Sequence, residues 1–125
     1  MIEDEVQRDG QLLARPAIRH KAGELTLSSE RQGDVHVIAL NGELDLATAG
    51  ALERELLRVE ATDAASIVLD LSGLTFMDST GIRVMLSADA RSRADSERLA
   101  LLRGPFAVQR VFELTGVVDL LPFAD

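Results

Sequence analysis

Ser66-Ile67-Val68-Leu69-Asp70-Leu71-Ser72-Gly73-Leu74-Thr75-Phe76-Met77-Asp78-Ser79-Thr80-Gly81-Ile82-Arg83 is the stretch whose reading decides the fold. Its apolar run, Ile67 to Leu71, predicts a buried strand. Ser72 to Met77 predicts a glycine-containing connection, and Asp78-Ser79-Thr80-Gly81 stands directly ahead of a helical pattern over Ser79 to Ala94, with Ile82, Met85 and Leu86 turned inward. A buried strand feeding an amphipathic helix is the unit of an α/β fold. It places Ser79 at the exposed start of a helix, where backbone N–H groups lack partners and the dipole favours an anion. Such a position is suited to carry a phosphate.

Working outward, Leu25-Thr26-Leu27 and Val35 to Leu40 read as two strands joined through Gln32-Gly33-Asp34, a hairpin signal. Asn41-Gly42-Glu43-Leu44-Asp45 is expected to break the second strand. From Thr48 to Glu60 the spacing of Ala49, Leu52, Leu56 and Val59 is helical. Beyond the central helix, Arg98 to Leu102 predicts another strand, ended by Gly104-Pro105. Pro105 suits the first turn of a helix with Val108, Val111 and Phe112 on one face and Gly116 as its cap. Val117 to Leu121 reads as a short last strand. The order β-β-α-β-α-β-α-β predicts one α/β domain over residues 24–125, with right-handed crossovers, a mixed but mostly parallel sheet and an N-terminal hairpin. Residues 1–23 show no sustained period and are expected to form a mobile extension.

The composition narrows the function classes. A chain of 125 residues fits one domain. With four Phe, no Trp and no Tyr, the core must be aliphatic, and base-stacking sites are disfavoured. The net charge of -8 falls wholly after residue 22, because the segment before it balances its acids and bases. An acidic domain is repelled by phosphate backbones and anionic lipid, so neither nucleic acid nor membrane is expected as a partner. No cysteine is present, which excludes disulfides and thiolate metal sites. No apolar run approaches the roughly 20 residues needed to span a bilayer, and the N-terminus is too polar for a signal peptide. A soluble, cytoplasmic protein is expected. Lys21 is the only lysine, so no Gly-Lys-Ser/Thr phosphate loop exists.

On local sequence alone, Asp78-Ser79-Thr80 reads first as a helix cap. Gly81 does not follow from capping. Glycine early in a helix costs roughly 0.5–1 kcal/mol relative to alanine, which points to something approaching the backbone closely. A hydrolase role for Ser79 would need a base nearby. The histidines are His20, in the extension, and His36, an ordinary strand position, and no Gly-x-Ser-x-Gly elbow is present. A receiver-like metal site would need Asp45, Asp70 and Asp78 to converge with a lysine that the chain lacks. No catalytic residue, metal site or cofactor is assigned.

Four ordered motifs carry a family resemblance: Leu40-Asn41-Gly42-Glu43-Leu44-Asp45, Ile67-Val68-Leu69-Asp70-Leu71-Ser72, Phe76-Met77-Asp78-Ser79-Thr80-Gly81 and Val111-Phe112-Glu113-Leu114-Thr115-Gly116. In this order and spacing, residues 25–121 resemble the STAS domain family, and specifically the bacterial anti-sigma factor antagonists. The resemblance implies a switch and not an enzyme. Its implied partners are an anti-sigma factor that is also a serine kinase, which phosphorylates Ser79 and so inactivates the antagonist, and a serine phosphatase that restores it. It implies a switch surface of Asp45, Asp78, Thr80, Gly81 and Arg83, with Asp45 beside Ser79. The alternative within the same resemblance is a scaffold or sensor module in a larger stress-signalling assembly. Two departures accompany it: a longer N-terminal extension, and an end at Leu120 to Asp125 where many members continue into a final amphipathic helix.

Overall fold

Strands form here where apolar residues alternate, and helices where they recur every three or four positions. The computed structural model describes residues 17–20 and 24–124. Strands β1 (Ala17–His20), β2 (Leu25–Gln32) and β3 (Val35–Leu44) form an antiparallel meander. Strands β4 (Ser66–Met77), β5 (Leu99–Leu102) and β6 (Phe123–Ala124) continue the sheet in parallel beyond β3. The result is a six-stranded mixed sheet ordered β1 to β6. Helices α1 (Ala49–Glu60), α2 (Ser79–Ala94) and α3 (Phe106–Leu114) supply the crossovers that parallel neighbours require.

All three helices share one core with one sheet face. Ile38, Leu40, Ile67, Leu69, Leu71 and Leu101 are buried in a single cluster with Leu52 and Leu56 of α1, Met85 of α2 and Phe112 of α3. The opposite sheet face carries Val37, Ala39, Val68 and Asp70, which are half-buried. The expected α/β domain with a mixed sheet and an N-terminal hairpin is therefore what the chain forms.

The structure departs from the sequence reading in three places. First, Asn41 to Leu44 does not break β3, and Ser72 to Met77 is strand, not connection. Two register shifts between β3 and β4 each place one additional residue on β4. The inward residues of β4 are consequently Ile67, Leu69, Leu71, Leu74 and Met77, spaced by two and then by three. Bulges break the period-two pattern, which is why it failed as a guide beyond Leu71. Second, Val117 to Leu121 is not a strand. Gly116, at φ +74°, ends α3, and the N–H groups of Gly116 and Val117 are bonded to the Glu113 and Phe112 carbonyls. A 3-10 turn at Val118–Leu120 follows, and pairing resumes only at β6. Third, β1 lies within the segment read as an extension. Four residues are too few to show a period, and pairing of Ala17 with Ser28 is a nonlocal event. The rest of that segment, 1–16 and 21–23, lies outside the described residues.

Candidate functional site

The site is built where β3 and β4 leave the sheet side by side. Leu44 pairs with Met77, and the Asp78 N–H donates to the Leu44 carbonyl at 3.2 Å. Each strand then turns directly into a helix, so the N-termini of α1 and α2 open at the same end of the molecule.

Ahead of α1, Asp45 and Thr48 bond to each other reciprocally. Asp45 Oδ1 accepts from the N–H groups of Ala47 (3.0 Å) and Thr48 (3.2 Å), and the Asp45 N–H donates to Thr48 Oγ1 at 3.0 Å. Thr48 is fully buried, and its hydroxyl donates to the Glu43 carbonyl at 2.9 Å. These bonds hold the Asp45–Thr48 turn that leads into α1, whose N-cap, Thr48, accepts from none of the helix's first N–H groups through its side chain. Asp45 thus sits at the strand end adjacent to that of Asp78, with its carboxylate occupied in the turn before α1.

At α2, Asp78 is extended (φ −112°, ψ −170°) and its Oδ1 accepts from the Thr80 N–H at 2.9 Å. Ser79, the first helical residue, is exposed, and its hydroxyl makes no hydrogen bond among the described residues. Thr80 is half-buried and Arg83 is exposed. Gly81 is not on this surface, which corrects its assignment to the switch face: it is buried. A Cβ there would come within 2.5 Å of Met77 Cγ, 2.9 Å of Met77 Sδ and 3.0 Å of Leu44 Cδ2. What approaches the backbone at Gly81 is the core, not a ligand.

A shallow groove of about 360 Å³ runs between the two helices beside Ser79, lined by Leu46, Gly50 and Glu53 on one side and Thr80, Arg83 and Ser87 on the other. Leu46 is 77% exposed, and Phe76, two residues before Asp78, is 48% exposed. The sequence reading passed over both as site residues. Phe76 carried a usable signal: Phe76 and Met77 are adjacent in a strand, so only one of them can face the core. Leu46 carried none, because it continues the apolar spacing of α1.

The three acids considered as a metal site do not combine. Asp70 accepts from the Ser72 N–H at 2.9 Å within β4, Asp45 holds the turn before α1, and Asp78 caps α2. No group of three or more potential metal ligands occurs among the described residues. His36 lies near the other end of β3, with Nε2 2.6 Å from Ser29 Oγ. No helix among the described residues is long and apolar enough to cross a membrane.

Comparison with known proteins agrees with this architecture. The STAS domain family matches residues 26–125. The anti-sigma-F factor antagonist RsfB of Mycobacterium tuberculosis is 29% identical over 93 residues, covering 74% of this chain and 75% of its own. The anti-sigma-B factor antagonist of Staphylococcus aureus is 27% identical over 97 residues, covering 78% and 90%. The crystal structure of an anti-sigma factor antagonist from Mycobacterium paratuberculosis superposes with a TM-score of 0.70 at 28% identity, over 79% of this chain and 84% of that one.

Proposed function

The chain belongs to the STAS domain family, and from that premise we propose that it is an anti-sigma factor antagonist switched off by phosphorylation of Ser79. The observation that carries this reading is the unengaged, exposed hydroxyl of Ser79 at the first position of α2, beside the exposed apolar side chains of Leu46 and Phe76. Apolar groups around a small polar centre are what a docking protein can bury.

The switch works by charge. Phosphorylation adds about -1.5 to -2 charges at pH 7, beside the Asp78 carboxylate. A partner seated on this surface would have to desolvate that charge, and like-charge crowding would oppose it. The opening of α2 tolerates the phosphate, so the domain need not unfold to change state. The partners in this reading are an anti-sigma factor with serine kinase activity and a serine phosphatase that resets Ser79. Asp45, Asp78, Thr80 and Arg83 contribute the rest of the surface, and Gly81 acts from beneath it.

Incubation with the cognate kinase and ATP, followed by mass mapping, is expected to place phosphate on Ser79. Ser79→Ala should bind the anti-sigma factor as the wild type does and resist inactivation, whereas phosphorylation of the wild type should weaken the complex roughly 10²–10³-fold, the equivalent of about 3–4 kcal/mol. Phosphate on another residue, with Ser79 untouched, would remove this reading.

A further inference from the structure

Arg83 stands one helical turn beyond Ser79 on α2 and lines the groove between α1 and α2. Residues four apart on a helix are neighbours, with Cβ atoms roughly 5–6 Å apart. Helical side chains also lean toward the N-terminus, so Ser79 lies within reach of the guanidinium. Arg31, Arg58, Arg91, Arg93 and Arg98 each have a carboxylate partner, whereas Arg54, Arg83 and Arg110 form no ion pair among the described residues, and of these three Arg83 is the one that lines the groove. The acids around it are already engaged. Glu53, across the groove, is held by Arg91 at 3.0 Å, and the Asp78 and Asp45 carboxylates accept backbone N–H groups.

We propose that Arg83 receives the phosphate of phosphorylated Ser79 and draws it back over the α1–α2 groove. The proposal rests on the reading of Ser79 as the modified residue. A phosphate offers three strong acceptor oxygens, and the guanidinium presents a planar fork that matches them. The pairing has two consequences for a partner. The groove beside Leu46 and Thr80 becomes covered by the chain's own phosphate, and the Arg83 cation that lines it is withdrawn. Phosphorylation then blocks the surface and does not merely charge it.

The test uses full-length protein with phosphoserine installed at position 79 during translation, so that no kinase is needed. Phosphorus NMR follows the second phosphate ionisation in the wild type and in Arg83→Gln, an exposed substitution checked for intact fold by circular dichroism. At low salt the wild-type phosphate is expected to titrate about 0.3–0.7 pH units lower than that of Arg83→Gln. The difference should close in about 1 M salt, where the screening length falls to about 3 Å. Coincident titrations at low salt, or a difference that salt leaves unchanged, would overturn the assignment of Arg83. Those results leave the Ser79 switch standing, whereas failure of the kinase to modify Ser79 removes the switch and leaves this titration unaffected.

Discussion

Gly81 shows how a residue inside a functional motif can be fixed by packing. Its helix position penalises glycine by roughly 0.5–1 kcal/mol relative to alanine. An added methyl, however, would press on Met77, which is 3% exposed, and on the fully buried Leu44. Overpacking of this kind costs about 1–3 kcal/mol, so it outweighs the propensity gain. Gly81→Ala is expected to lower stability by about 1 kcal/mol, or about 3–5 °C in thermal midpoint. Because Met77 sets the end of β4, the same change should also displace the start of α2 and slow phosphorylation of Ser79. A midpoint equal to or above that of the wild type would show that Met77 relocates freely and that Gly81 is not needed for the packing of α2.

At the scale of elements, the cap of α2 separates structure from charge. Asp78 satisfies one donor of α2, and its charge also complements the helix dipole. Asp78→Ala should cost about 1 kcal/mol in urea unfolding, while Asp78→Asn, which keeps an acceptor oxygen, should stay within a few tenths of the wild type. Equal losses for both would mean that the charge, and not the hydrogen bond, holds the turn. These elements differ in how far they could be read from residues. α2 was legible, as a helix from about Ser79 to Ala94, because a cap, a helical stripe and a preceding strand all point the same way. The far half of β4 was not, because its bulges break the alternation on which strand reading depends. The end of the chain misled for another reason: Val117 to Leu121 is apolar because Leu121 is buried and Val117 and Val118 pack on the core, yet it folds as a tight turn. The placement of Ser79 at the exposed start of α2, with Asp78 as its cap, was legible from chemistry and spacing. The groove was not, since it exists only where two helices distant in sequence lie together. The bonds that Asp45 makes in the turn before α1 appear only with Thr48 in place.

Across the whole molecule, the buried titrating groups and the proposed switch lie far apart. His36 is eight residues before Leu44 on β3, roughly 26 Å at 3.3 Å per residue. It is buried under α1, facing Glu55 and Arg58 from that helix, Ser29 and Arg31 from β2, and apolar Ile67 across β4. Burial pushes its pKa below the ordinary 6.5, Arg58 and Arg31 push the same way, and Glu55 opposes them. As pH falls past 6.5, the unfolded chain therefore takes up a proton that the folded chain refuses. The His36 contribution is fully present above that value and is lost as pH falls through the lower folded value. Glu55 behaves similarly at more acid pH. Burial pushes its carboxyl up, but the paired hydrogen bonds of Arg58 at 2.9 and 2.6 Å and that of Ser29 outweigh burial, leaving it below 4.5. Its contribution is present above 4.5 and disappears as pH falls further. Acidification also reduces the net charge of -8 and with it the self-repulsion, which acts in the opposite direction. The informative measurement is thus a difference between proteins. Relative to His36→Gln, the wild-type urea midpoint should fall between about pH 7.5 and pH 5.5, while both proteins share the Glu55 loss below about pH 4.5. Ser79→Ala should show the same two steps as the wild type, since the switch end of the sheet takes no part. If the wild type and His36→Gln keep a constant offset across the upper window, the imidazole is reached by water in the folded state and the polar cluster under α1 does not govern acid stability.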